Sequence, residues 1–117
     1  MDIRQEVGKK GEEIATKYLN SSGYKILTRN FRGSHGEIDI IAKERNQIIF
    51  VEVKARTNLK YGRPAEAVTK TKQVHIEKAA KYYIYKNKLE HKEIRFDVVE
   101  VYFLDGKYRI KHIKNAM

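Results

Sequence analysis

The chain has no cysteine, and Pro64 is its single proline. Without thiols there can be no disulfide and no thiolate zinc site. The four histidines show no H-x-x-x-H spacing, and His35 and His75 are not read as zinc ligands. No P-loop, no GxGxxG and no Ser/His/Asp triad is present. No unbroken apolar run exceeds Ile48–Val51, so neither a transmembrane helix nor a signal peptide is expected. A cytoplasmic location with no membrane partner is the default expectation. Repeats, low-complexity tracts and linkers are absent too.

What the chain does have is positive charge. Twenty-five Lys and Arg against 15 Asp and Glu leave a formal net charge of +10. That balance favours a polyanionic partner, nucleic acid before an anionic membrane surface. The plain alternative is a soluble protein with a lysine-rich exterior. Its 117 residues suit one domain spanning 1–117, long enough to bury a core. Charged residues make up 34%, but they are interleaved with apolar ones, which argues against disorder.

The apolar spacing of Val7, Gly11, Ile14, Ala15, Tyr18 and Leu19 predicts a helix over about residues 4–21. Asn20, two serines and Gly23 end it. A strand is read at 24–31, followed by a basic, glycine-bounded loop at 32–36. Strands at 37–43 and 48–56 form a hairpin around residues 44–47. A second helix runs over about 65–86, with Pro64 near its start. Strands follow at 94–103 and 108–113, joined by an Asp105-Gly106 turn. The order is αβββαβ(β). A helix crossing between the third and fourth strands implies a parallel pair in a mixed sheet.

The hairpin carries charge at alternate positions. Glu37 and Asp39 share one strand face, and Glu52 and Lys54 share another. With a four-residue connection Lys43 opposes Ile48, Asp39 then opposes Glu52, and Glu37 opposes Lys54. Directly opposed side chains have Cβ atoms about 4.5–5.5 Å apart, so Asp facing Glu is repulsive unless a cation lies between them. The opposite faces, Ile38, Ile40, Ala42 and Ile49, Val51, Val53, read as core. Mg²⁺ and Mn²⁺ prefer hard oxygen ligands, which makes Asp39 and Glu52 candidate metal ligands, with a backbone carbonyl near Val53 as another. Lys54 is placed to orient a water or stabilise developing charge. Taken alone, Glu-x-Lys is more often a solvated strand face.

At 100° per residue, Glu12 falls at the edge of the first helix's apolar arc and Glu13 points away. Glu12 can therefore reach the sheet margin. Gln73 shares a helical face with Ile76, Ala80 and Ile84, where it serves either the site or the core. Lys60, Arg63, Lys70 and Lys72 gather near the second helix's start, while Arg29, Arg32 and His35 precede the hairpin. Both groups are candidates for a phosphate track; singly, each is ordinary surface charge.

The chain resembles the YraN family, whose members resemble the archaeal Holliday-junction resolvases. The resemblance spans nearly the whole length. It is carried by Gly8-x-x-Gly11-Glu12-x-x-Ala15, Tyr18-Leu19, Gly23-Tyr24, Arg29-Asn30-Phe31-Arg32, Gly36–Ile41, Phe50-Val51-Glu52-Val53-Lys54-x-Arg56 and Arg95-Phe96-Asp97-Val98. It implies the restriction-endonuclease-like α/β fold of the PD-(D/E)XK superfamily, a mixed sheet flanked by helices. In that pattern Asp39, Glu52 and Lys54 take the places of the motif Asp, (D/E) and Lys. Glu12 takes the place of the helix Glu, and Gln73 that of a helix glutamine found in some branches. Ile38 stands where the name-giving proline would be.

The expected function is a Mg²⁺- or Mn²⁺-dependent endonuclease acting on nucleic acid, DNA first, with branched or damaged DNA in view. Glu12, Asp39, Glu52, Lys54 and Gln73 are the expected catalytic residues, and Glu12, Asp39 and Glu52 the metal ligands. Arg32, His35, Arg56, Lys60, Arg63, Lys70 and Lys72 are expected to contact nucleic acid. The alternative is a nucleic-acid-binding module without turnover; an anionic-surface protein has only net charge behind it. Symmetric cutting of two strands requires a homodimer, which no sequence feature establishes.

Overall fold

A computed structural model describes residues 3–57 and 69–117. The elements are α1 (Ile3–Ser21), β1 (Lys25–Arg32), β2 (Glu37–Glu44), β3 (Gln47–Arg56), α2 (Lys70–Lys86), β4 (Glu93–Leu104) and β5 (Lys107–Ile113). This is the element order that the hydrophobic pattern predicts. The α/β fold is built on one five-stranded sheet in the order β1-β2-β3-β4-β5. Only β3 and β4 pair in parallel, on either side of the crossover through α2. Residues 65–68 of the expected second helix lie outside the described residues, as do Lys60, Arg63 and Pro64.

Local signals explain the boundaries. Leu19 O accepts from Tyr24 N at 3.0 Å and Gly23 takes φ 93°, a glycine-terminated helix end. Thr69 caps α2 by accepting from Lys72 N at 3.2 Å. Asp105 and Gly106 both have positive φ, 50° and 74°, as a two-residue hairpin turn requires.

The sheet separates two cores. On one face α1 buries Ala15 and Leu19 against Ile40, Ala42, Ile49, Val51, Val99 and Val101. On the other, Ile76, Ala79 and Ala80 of α2 cover Ile38, Ile41, Ile48 and Phe50. Strict alternation places Ile38 with Ile40, and the structure corrects this: Ile38 packs in the α2 core. The cause is visible on β1. Asn30 adopts a left-handed backbone (φ 52°) within the strand, a conformation Asn tolerates better than most residues. Beyond it Phe31 pairs with Ile38 and packs on Tyr83 of α2. The free end of the β1–β2 ribbon therefore leans toward α2, where a Cβ on Gly36 would come within 3.0 Å of His75 Cβ.

Gly11 marks the closest approach of α1 to the sheet. A Cβ there would lie 2.8 Å from Ala55 Cβ, with no flexible side chain to yield. Gly11→Ala is expected to lower stability by about 1–2 kcal/mol, because overpacking outweighs the ~1 kcal/mol helical preference for Ala. Urea melts of the two proteins check this; a variant as stable as the wild type would contradict it.

Candidate active site

Pairing of β2 with β3 follows the expected register, Lys43 opposite Ile48 and Ile40 opposite Val51, around a turn in which Arg45 has φ 54°. The paired ladder stops there. Asp39 and Glu52 lie just past its end, where the ribbon bends. In place of a ladder bond, the Asp39 Oδ2 accepts from Val53 N at 2.8 Å. Val53 thus engages the site through its N–H. The ladder ends before Glu37 and Lys54, and Glu37 is paired with Arg32 at 3.5 Å.

The carboxyls of Asp39 and Glu52 are hydrogen-bonding neighbours at a narrow cleft bounded by Glu37, Ile38, Val51 and Ile76. Burial and the adjoining Glu52 push Asp39 up to about 9, so Asp39 keeps a proton at neutral pH. For Glu52, burial opposes the charge, but the Asp39 hydrogen bond and the Lys72 and Lys54 ammoniums outweigh it and hold it below the usual carboxylate value. The pair thus carries one proton and one negative charge.

Lys72, expected among the phosphate contacts, places its Nζ 2.7 Å from Glu52 Oε2. At that distance the ammonium is the close ion-pair partner of this buried oxygen. Burial and the neighbouring Lys72 ammonium push Lys54 below the ordinary lysine value, against the pull of Glu52. Glu52 keeps Lys72 above the ordinary value despite burial.

Glu12 approaches from α1, where burial raises its carboxyl despite the nearby Arg29 and Asn30. With its amide nitrogen turned toward the acids, Asn30 donates to Glu12 and Glu37, each at 3.2 Å. The left-handed residue that bends the ribbon therefore also ties its acids together. Glu13 is exposed, as expected, yet it holds Arg29 at 2.8 Å. Among the described residues, no three Asp, Glu, His or Cys side chains form a group able to hold a metal. The structure brings Asp39 and Glu52 together, with Glu12 beside them.

Gln73 is half-buried in the first turn of α2. Of the expected nucleic-acid contacts, Arg32, His35 and Lys70 are exposed, and Arg56 is half-buried with an unpartnered Nε. A larger cavity of about 450 Å³, lined by Val7, Lys10, Phe103 and Tyr108 among others, sits at the β4–β5 turn. None of the convergent acids lines it.

Sequence reasoning missed Glu100. It is fully buried, opposite Lys54 in the parallel register, with Tyr102 Oη donating to Oε2 at 3.0 Å and Oε1 unpartnered. Alternation with Phe96, Val98 and Tyr102 was the available signal.

A family model described as uncharacterised protein family UPF0102 matches residues 11–101. The chain belongs to the UPF0102 family. It is 54% identical over 115 residues to a UPF0102 protein of Caldicellulosiruptor saccharolyticus, covering 97% of this chain and 98% of that one. A UPF0102 protein of Clostridioides difficile is 54% identical over 112 residues, 96% of each chain. One from Caldanaerobacter subterraneus subsp. tengcongensis is 47% identical over 116 residues, 97% of this chain and 95% of that one. Glu12, Asp39, Glu52, Lys54 and Lys72 all lie within that matched span. No helix among the described residues is long and apolar enough to cross a membrane.

Proposed function

We propose that this UPF0102 protein is a metal-dependent endonuclease that hydrolyses phosphodiester bonds in DNA. One observation carries the reading: two adjacent carboxyls share a buried cleft, and two ammoniums, Lys54 on the same strand and Lys72 from α2, converge on one of them. The αβββαββ order, with both acids at the end of the β2–β3 hairpin, supports a restriction-endonuclease-like core.

The donor set fits a hard divalent cation. Asp39 and Glu52 offer carboxylate oxygens, and Mg²⁺ is commonly held by one or two carboxylates with waters completing its shell. Bound there, Mg²⁺ or Mn²⁺ would supply charge neutralisation at a phosphate and a more acidic water. Val53 N–H fixes the orientation of the Asp39 carboxyl. Asp39 must release its proton for both carboxyls to act as ligands. Glu12 stands behind the pair and adds negative potential. Lys54, flanking Glu52, orients the attacking water or meets charge developing on the phosphate. Arg32, Arg56 and Lys70 supply positive charge for the strand.

The test is Mg²⁺- and Mn²⁺-dependent cleavage of plasmid, flap and four-way-junction DNA. Wild type is expected to cut, while Asp39→Asn and Glu52→Gln lose roughly 10²–10³-fold or more. Equal cutting by either variant would sink the assignment. A second reading, a DNA-binding module without turnover, draws on the lack of a third converging ligand among the described residues. Tight binding with no metal-dependent cleavage across the panel would favour it.

A further inference from the structure

We propose that Lys72 is a displaceable cation at the carboxylate pair: its ammonium occupies Glu52 until a DNA phosphate draws it away, coupling divalent-metal binding to DNA binding through one side chain. The inference rests on the metal-centre reading above and adds its regulation.

Three observations lead here. First, Lys72 Nζ lies 2.7 Å from Glu52 Oε2, the oxygen a metal would need. Glu52 is buried, with 5% of its side chain exposed, whereas Lys72 is 41% exposed. The ammonium therefore reaches in from the open side and can leave the same way. A divalent cation and an ammonium cannot share one carboxylate oxygen without strong repulsion.

Second, Lys72 sits in the first turn of a 17-residue helix that has no acidic residue in that turn. The positive end of the helix dipole disfavours a cation there. Glu52 compensates it. Once released, Lys72 gains most from an anion brought from outside, and a phosphate near this helix start also meets backbone N–H groups that lack intrahelical partners.

Third, the backbone of Lys72 is anchored, its N–H donating to Thr69 Oγ1 at 3.2 Å. The exchange needs only rotation of a flexible side chain. Among the described residues the other ammonium beside Glu52 is Lys54, fixed on the same strand, while Arg29 is held by Glu13 at 2.8 Å and Arg32 by Glu37 at 3.5 Å.

Mn²⁺ binding, followed by the electron paramagnetic resonance signal of the free ion, tests the inference without reference to cleavage. Lys72→Gln is expected to bind Mn²⁺ roughly tenfold more tightly than wild type in the absence of DNA. Lys72→Arg, which keeps the charge, should match wild type. A short DNA duplex with phosphorothioate linkages should tighten Mn²⁺ binding to wild type and leave Lys72→Gln nearly unchanged. If Lys72→Gln binds Mn²⁺ no better than wild type while Asp39→Asn loses the ion, Lys72 is not the displaceable cation and the metal centre stands. If DNA fails to tighten Mn²⁺ binding to wild type, the coupling is wrong. If no protein of the set binds Mn²⁺, the metal-centre reading falls together with the inference.

Discussion

Asp97→Ala is expected to melt on the order of 10–20 °C below wild type, a loss of about 3–5 kcal/mol. Asp97 is fully buried on β4 and accepts four hydrogen bonds. Arg95 Nε and Nη2 donate at 2.8 and 2.9 Å, His112 Nε2 at 2.7 Å and Asn115 N at 3.2 Å. Because Asp97 is an acceptor, the His112 proton sits on Nε2, which leaves Nδ1 to accept from Tyr18 Oη at 2.9 Å. Arg95 in turn donates to Tyr24 Oη at 2.7 Å. One carboxylate thus ties α1, β4, β5 and the start of β1. Removing it strands a buried guanidinium and two other donors. Burial raises the Asp97 carboxyl, but His112, Arg95 and Asn115 outweigh it and hold it below the ordinary aspartate value. Its stabilisation is therefore complete above the ordinary value and is lost as pH falls through the lowered one. Calorimetry against pH should show the gap between wild type and variant closing in strong acid. A variant melting within a few degrees of wild type at neutral pH would refute the account.

Asp39→Asn should do the opposite. The protein without added metal is expected to gain about 1–3 kcal/mol at pH 8, or several degrees in Tm, while losing cleavage. Native Asp39 is pushed up to about 9, whereas the unfolded chain ionises near the ordinary value of 3.8. Between those values the native state holds a proton that the unfolded state has released. Stability from this residue is full below the unfolded value and declines as pH rises through the window. Asn mimics the protonated acid, keeping an oxygen for Val53 N–H and an N–H for Glu52, and it carries no such slope. Tm measured from pH 4.5 to 9 should show the variant's advantage widening with pH. A constant gap, or a variant less stable throughout, would mean that burial and Glu52 do not keep Asp39 protonated as described. Gain of stability with loss of activity is the expected signature of a functional site.

Much of this was readable in the residues because it depends on short-range periodicity. The register of the hairpin followed from parity and a short connection, and it brought Asp39 to Glu52. Glu12 followed from helical geometry. The side change at Ile38 could not be read, since it depends on the left-handed backbone of Asn30 on a different strand. Lys72 looked like surface charge because its partner is twenty residues away, across α2 and β3. Asp97 was hidden for a similar reason: Tyr24, Tyr18 and His112 reach it or its partners from segments far apart in the chain. Glu100 was less hidden, since its partner Tyr102 lies two residues on, on the same strand face.

The parallel pairing of β3 with β4 has a consequence for how the molecule assembles. β2 and β3 can zip together through their tight turn, and so can β4 and β5. Joining β3 to β4 must first close the chain across residues 57–92, and such long closures slow folding. Asp39 and Glu52 therefore meet early, in a hairpin still open to water, where both can be ionised and hydrated. Lys72 arrives with the crossover, and burial of the pair comes with it. The cost of burying Asp39 and protonating it is thus met late, after most of the apolar contacts are in place. Substitutions that relieve it should slow unfolding more than they speed folding, which makes the cleft a brake on the lifetime of the native state.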